Sequence, residues 1–130
     1  MRARARRLTN LTHDLVVRDH HLTADEQREE GGDDHGPSPQ ELLAASLASC
    51  TAITMEMYAK RKGWNVDGLE VDVDYAPADR GCPTRFELVM RMPAHLSEEQ
   101  VDKLQVIAAK CPIHRTLEGE VFFEERVELS

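Results

Sequence analysis

The sequence is poor in cysteine, and its three cysteines form no familiar disulfide or metal-binding pattern. Cys50, Cys82 and Cys111 are too few, and odd in number, for the disulfide framework of a small secreted protein. There is no Cys-x-x-Cys pair, and the histidines show neither zinc-finger nor His-Glu-x-x-His spacing. A structural zinc site is therefore not expected, and each cysteine is structural or redox-active.

Basic charge, long apolar runs and targeting features are scarce as well. The 130 residues carry a formal net charge of -8, which argues against partners such as nucleic acid or an acidic membrane surface. The uncharged run of residues 42–55 is too short and too rich in Ser and Thr to span a bilayer. No apolar signal-peptide core follows Met1. These features predict a cytoplasmic globular protein, and the length predicts a single domain over residues 1–130.

Three short strands are predicted at the N-terminus. They cover residues 2–8, 11–17 and 20–25 and form a β-meander, with a tight turn at Arg18-Asp19 between the last two. The first strand carries four arginines that mostly alternate with alanines, which fits the solvent face of an edge strand better than a nucleic-acid arm. A polar, glycine-containing loop follows.

The most strongly marked element is a helix over residues 38–62. Ser38 is placed as its N-cap, Glu41 completes a capping box, and Gly63 can take the left-handed stop position. Its apolar residues do not fall on one stripe, and the remaining positions are mostly small, which predicts a helix buried on most sides. Cys50 lies in its middle.

The second half of the chain predicts a hairpin, two helices and a last strand. Residues 69–75 and 86–92 alternate apolar and polar side chains, as half-buried antiparallel strands do, and Cys82 precedes the second of them. Ser97 and Gln100 form a second capping box, which opens a helix whose buried stripe ends at Cys111.

Cys111 also precedes Pro112, which suits the first position of a short helix over residues 112–118. On that interpretation Cys111 is the N-cap, and the positive end of the helix dipole favours its thiolate. A strand over residues 121–129 ends the chain. The predicted order is βββ-α-ββ-α-β, an α+β fold with mostly antiparallel pairing.

A buried cysteine is more often a packed apolar residue than a nucleophile, but the residues around Cys50 and Cys111 are more specific. The motifs are Gly36-Pro37-Ser38-Pro39-x-Glu41-Leu42-Leu43 leading to Cys50-Thr51, then Lys60-x-Lys62-Gly63-Trp64, then Lys110-Cys111-Pro112-Ile113-His114-Arg115-Thr116-Leu117. This combination resembles the OsmC/Ohr family of thiol-dependent hydroperoxide reductases, and most closely its OsmC-like branch.

The resemblance implies sheets wrapped around two long core helices in an intertwined homodimer that uses no metal or bound organic cofactor. It implies that Cys50 is the peroxidatic thiolate, which attacks an organic hydroperoxide and becomes a sulfenic acid. Cys111 then resolves it as an intramolecular disulfide, which an external dithiol reduces. The residue types are consistent with this chemistry, because a second thiol traps a sulfenic acid before it is oxidised further.

The resemblance also implies an arginine from the N-terminal hairpin and a glutamate at the start of the core helix, which support the thiolate. Arg18 is the candidate arginine. The position ten residues before Cys50 usually holds the glutamate and holds Gln40 here, whereas Glu41 is already explained by the capping box. Ten helical residues rise about 15 Å, so Gln40 or Glu41 could serve only the Cys50 of a second protomer.

Two functions remain open from the sequence. The first is a peroxidase with Cys50, Cys111, Arg18 and Glu41 as its site. The second is a non-catalytic small-molecule binding protein, or a redox sensor, of the same fold, for which Gln40 is the best support. His114 is either a proton carrier near Cys111 or a partly exposed helix residue.

Overall fold

The computed structural model describes residues 1–129 and confirms the α+β class. The strands are β1 (Arg4–Thr9), β2 (Thr12–Val17), β3 (His20–Ala24), β4 (Glu70–Ala76) and β5 (Arg85–Arg91). The helices are α1 (Pro39–Lys62), α2 (Glu98–Ala108) and α3 (Pro112–Glu118), with one 3-10 turn at Arg28–Glu30. The predicted meander, core helix, hairpin, second helix and short third helix are all present. One predicted element, the last strand, is not.

The chain divides into two compact units, each built from two segments. One unit comprises residues 1–45 and 74–87, and the other comprises residues 46–73 together with the chain from residue 88 onward. The single-domain prediction for residues 1–130 stays a prediction.

The first unit contains a three-stranded antiparallel sheet in the order β1-β2-β3. Strand β1 therefore lies at an edge, as its arginines predict, and all six of its residues are exposed. The predicted tight turn between β2 and β3 is present, and Arg18 occupies it with a φ of 54°. A left-handed backbone is unfavourable for a residue with a long side chain, so Arg18 is held there by the hairpin.

Hydrogen bonds to the Asp25 side chain anchor the loop that joins this sheet to α1. Its buried carboxylate accepts a 2.6 Å hydrogen bond from the Thr12 hydroxyl and bonds of 2.7 and 3.1 Å from the amides of Glu26 and His35. The Thr12 hydroxyl is the first cause, and the amides add to it, in lowering the pKa of Asp25 to about 2. A charged group thus serves as a structural anchor.

The second unit has the main hydrophobic core. Leu104 and Ala108 of α2 pack with Met55 and Ala59 of α1, and Leu96 closes the group just before α2. The predicted capping box at the start of α2 is present, with both hydrogen bonds formed between its N-cap serine and the third helical residue. This core fixes the thiol-bearing part of α1 in the second unit.

Helix α1 begins and ends as predicted but is less buried than predicted. Ser38 and Glu41 form the capping box, and Gly63 has a φ of 73°. Its fully buried residues form one stripe, which consists of Leu47, Thr51, Met55 and Ala59. Two apolar residues on other faces, Ile53 and Met57, are more than half exposed. The prediction of burial on most sides is therefore wrong for this chain by itself, because its own elements cover only one face.

By length and composition alone, α1 could also cross a membrane, a property it shares with the core helices of soluble proteins. Met55 and Ala59 of this helix belong to the hydrophobic core of the second unit.

The predicted last strand is the second correction. Residues 120–129 have no regular secondary structure, because a strand exists only when its backbone pairs with a neighbour, and none of the pairings in the described chain includes this segment. Its apolar side chains are between 53% and 95% exposed: Val121, Phe122, Phe123, Val127 and Leu129.

We predict that acid destabilises the protein partly through Asp25. Between pH 3.8, the ordinary pKa, and about 2, the pKa in the fold, the unfolded chain binds a proton that the folded chain does not. The contribution of Asp25 is therefore complete above the ordinary pKa and is lost as pH falls through the lower one. Urea unfolding across this range measures it. Asp25→Asn should flatten the acid dependence, whereas Asp74→Asn, at an exposed position of β4, should keep the wild-type slope; equal slopes for all three proteins would contradict the prediction.

Candidate active site

The structure brings together the two thiols that the sequence singles out. Cys50 is half-buried in the middle of α1, and Cys111 is fully buried between α2 and α3. Both are free thiols of the second unit, and Cys111 is close enough to Cys50 to raise the pKa of the Cys50 thiol. Residues 61 positions apart in the chain are thus brought beside each other.

The first turn of α3 supplies a backbone donor to each thiol. Cys111 is the N-cap of α3, as predicted, and its Sγ accepts from the backbone N–H of His114 at 3.5 Å. The preceding amide, that of Ile113, donates to the sulfur of Cys50. The turn that begins at Pro112 therefore orients both sulfurs.

Burial is the main influence on the charge of Cys50. Removal from water raises its pKa, and the hydrogen bond with Cys111 raises it further because that bond keeps the proton on Cys50. The Ile113 amide and the Thr54 hydroxyl act in the opposite direction without overcoming burial. No cation is among the groups of residues 1–129 that shift this pKa. The chain's own groups therefore favour the neutral thiol.

The two other residues predicted for the site do not act on Cys50 of their own chain. Arg18 is exposed at the β2–β3 turn, and Glu41 is exposed in the first turn of α1, where its Oε1 accepts from the Ser38 amide at 2.9 Å. Neither is among the groups that shift the pKa of Cys50. The structural explanation of Glu41 is confirmed, and the catalytic roles of both residues stay predictions.

Two further residues named from the sequence, Cys82 and His114, lie in different parts of the structure. Cys82 is exposed in the connection between β4 and β5, in a tight turn with Asp79. His114 is half-buried on α3, and its Nδ1 lies 3.2 Å from Oε1 of Glu118, one turn further along. His114 meets Cys111 through its backbone amide.

Sequence reasoning missed Ile113 and Thr54 as neighbours of Cys50. Every residue except proline has a backbone amide, so the residue type of Ile113 could not indicate that its amide lies near Cys50. Thr54 could have been predicted as a neighbour, because side chains four residues apart share a helix face. The spacing of Thr54 from Cys50 was therefore sufficient to suggest a contact.

One group of side chains in the first unit has ligand atoms close enough to be compared with a metal site. Oxygen and nitrogen atoms of Asp25, Asp33 and His35 lie within 4.8 Å of one another. Both oxygens of Asp25 already accept hydrogen bonds from Thr12 and from loop amides. Loop anchoring accounts for this cluster, and no cofactor is assigned to it.

Comparison with known proteins places the fold in a family. The family model described as OsmC-like protein matches residues 31–126. Comparison with curated proteins gives no match.

Several solved structures share the fold. A protein of Psychrobacter arcticus 273-4 is 19% identical with a TM-score of 0.77, over 88% of this chain and 85% of that one. The organic hydroperoxide resistance protein OsmC of Legionella pneumophila is 17% identical, with a TM-score of 0.65, over 92% and 90%. The organic hydroperoxide resistance protein OhrB of Bacillus subtilis is 20% identical, with a TM-score of 0.61, over 92% of each chain. At these identities the likeness concerns the fold.

We predict that mild oxidation joins Cys50 to Cys111 and leaves Cys82 reduced. The Cys50 and Cys111 thiols lie close enough to influence each other, whereas Cys82 is exposed on a separate connection. Treatment with the azodicarboxamide oxidant diamide, followed by peptide mass mapping without reduction, identifies the pairing. Cys82→Ser should give the same disulfide and Cys111→Ser should give none. A disulfide that contains Cys82 as the main product would contradict the contact.

Proposed function

Because the chain belongs to the family of OsmC-like proteins, we propose that it is a thiol-dependent reductase of organic hydroperoxides. The observation that supports the proposal is the nearness of the Cys50 and Cys111 thiols at the first turn of α3, where the His114 amide donates to Cys111 and the Ile113 amide lowers the pKa of Cys50. A half-buried thiol beside a buried one suits a nucleophile with its resolving partner. A cytoplasmic location belongs to the same proposal, since such a cycle needs a reducing compartment.

The proposed cycle has three steps. The Cys50 thiolate attacks the terminal oxygen of ROOH, an S–O bond forms as the O–O bond breaks, and the leaving alkoxide takes a proton to give the alcohol. The Cys111 thiol attacks the resulting sulfenic acid, so that an S–S bond forms and water leaves. An external dithiol then reduces the disulfide by thiol exchange and is itself oxidised to a disulfide. Cys50 and Cys111 thereby return to thiols.

The names of two proteins of the same fold support the substrate class. The Legionella pneumophila and Bacillus subtilis proteins are both described as organic hydroperoxide resistance proteins. These names identify a class of substrate, organic hydroperoxides, and no particular peroxide.

The proposal includes a homodimer, because no cation of residues 1–129 is among the groups that lower the pKa of Cys50. The nucleophile must be a thiolate, yet burial raises the pKa of Cys50 and no cation of residues 1–129 counteracts it. Arg18 is an exposed cation at the tight turn between β2 and β3. We assign it to the Cys50 of a second protomer, and Glu41, about 13.5 Å along the helix axis from its own Cys50, to the same shared site.

The apolar surface that this chain leaves exposed supports a second copy as its partner. Ile53 and Met57 of α1 are 52% and 59% exposed, and Phe122 and Phe123 are more than 80% exposed. Large exposed apolar side chains concentrated on one helix face and one terminal segment are typical of protein interfaces.

The terminal segment also has a suitable place to bind. Residues 118–128 contain five glutamates, and the edge strand β1 and the residue two before it carry four arginines. An edge strand has free backbone groups to which another strand can pair. We propose that the terminal segment of one protomer forms the predicted last strand by pairing with β1 of the other.

A non-catalytic binding or redox-sensing protein is the second candidate function. It is favoured by the raised pKa of Cys50 and by Gln40, which stands where the family's strongly peroxidatic members carry a carboxylate. Such a protein would keep the thiol contact but consume no peroxide catalytically.

Turnover distinguishes the two functions. Wild-type protein supplied with cumene hydroperoxide and dihydrolipoate should consume peroxide continuously, and Cys50→Ser should abolish consumption because it removes the nucleophile. Cys111→Ser should lose most turnover while it still forms a sulfenic acid that dimedone labels. Cys82→Ser is the matched control and should keep wild-type turnover. Wild-type turnover in Cys50→Ser would refute the assignment.

We predict that Arg18 acts across the dimer. Arg18→Asn removes the cation and suits the left-handed turn, so the hairpin is kept while turnover falls. Mixing Arg18→Asn chains with Cys50→Ser chains should then restore about a quarter of wild-type activity, as random pairing of two chains predicts. Arg80→Asn, at an exposed position between β4 and β5, is the control for loss of an exposed arginine. If mixed chains stay inactive while each variant folds, Arg18 does not serve the partner's thiol.

A further inference from the structure

Hydroxyl side chains lie on both sides of Cys50 on α1, and two of them, those of Ser49 and Thr51, donate to backbone carbonyls of the helix. The Ser49 hydroxyl donates to the Ser46 carbonyl at 3.2 Å, and the buried Thr51 hydroxyl donates to the Leu47 carbonyl at 2.8 Å. This return to a carbonyl of the preceding turn is the ordinary local bond of a helical Ser or Thr. Thr54 differs, because its hydroxyl is among the groups that lower the pKa of Cys50, as a donor near the sulfur does.

The geometry of α1 also places the Thr54 side chain next to that of Cys50. Thr54 lies four residues after Cys50, so the two side chains share a face of α1. Side chains on a helix lean toward its N-terminus, which brings the Thr54 hydroxyl over the turn that carries Cys50. Thr54 is half-buried rather than buried like Thr51, so it borders the same partly open space as the thiol.

Two neutral donors therefore converge on one sulfur from different elements. The Thr54 hydroxyl approaches along α1, and the Ile113 amide approaches from the first turn of α3. A sulfur that accepts two hydrogen bonds is better stabilised as the anion, because donors favour the charged form of the group that accepts from them.

We propose that Thr54 is a catalytic residue whose hydroxyl donates to the Cys50 thiolate and orients its remaining lone pair for attack on the peroxide oxygen. This assignment rests on the proposed function for its role in turnover. Its effect on the thiol itself does not depend on any peroxide. When the sulfur lone pair forms the S–O bond and the O–O bond breaks, the Thr54 proton stays on its own oxygen, and the alkoxide takes its proton from solvent.

The test compares three variants in a Cys82→Ser background. Thr54→Val removes the donor and keeps the branched shape, Thr54→Ser keeps the donor, and Thr51→Val removes a hydroxyl that serves the helix. The rate at which iodoacetamide alkylates Cys50, read from its tryptic peptide across a range of pH, reports the thiolate population. Peroxide turnover is measured on the same preparations.

Thr54→Val should alkylate about tenfold more slowly at neutral pH, since a hydrogen bond to a charged group is worth roughly this factor or more. Its pH profile should move to higher pH, Thr54→Ser should restore the wild-type rate, and Thr51→Val should leave it unchanged. Equal rates in Thr54→Val and wild type, equal losses in Thr54→Val and Thr51→Val, or failure of Thr54→Ser to restore the rate would each overturn the proposal.

The two readouts separate this proposal from the proposed function. If alkylation follows Thr54 as expected but wild-type protein turns over no hydroperoxide, the donor role stands and the peroxidase function fails. If wild-type protein turns over peroxide and Thr54→Val alkylates and turns over equally well, the peroxidase function stands and the role of Thr54 fails.

Discussion

The contact between the Cys50 and Cys111 thiols depends on the short helix α3 more than on any other element. α3 buries none of its own residues, so it is held by local bonds: the N-cap at Cys111, the Thr116 hydroxyl donating to the Pro112 carbonyl, and the neighbouring His114 and Glu118 side chains. Cys111 is both the cap of this helix and one half of the thiol pair. The same sulfur thus positions the turn whose amides meet both thiols.

The two thiols of the site lie beside each other, but no cation of residues 1–129 is among the groups that favour the Cys50 thiolate. Burial disfavours the thiolate of Cys50, and two neutral donors offset burial only in part. A second protomer that supplies Arg18 would complete the charge without altering the thiol contact. The exposed apolar side chains of α1 and of the terminal segment lie on surfaces that such a protomer can cover.

Sequence patterns predicted those features that are local in the chain. Capping boxes located the starts of α1 and α2, alternation located β4 and β5, and Pro112 after Cys111 located α3 together with its unusual cap. The predictions failed where the answer depends on a neighbour. An apolar pattern shows that a face will be buried but not by which chain, so α1 is less covered and residues 120–129 are unpaired within the chain. Nothing in the sequence indicated that the Ile113 amide lies near Cys50.

A single-turnover experiment tests the central claim most directly. Fully reduced protein is mixed with one equivalent of cumene hydroperoxide in the absence of any other reductant, and thiols and products are counted. The account predicts that each chain loses two thiols, at Cys50 and Cys111, and that one molecule of 2-phenyl-2-propanol forms per chain. Intact hydroperoxide beside fully retained thiols would contradict the account, and the protein would then be a binding or sensing member of the same fold.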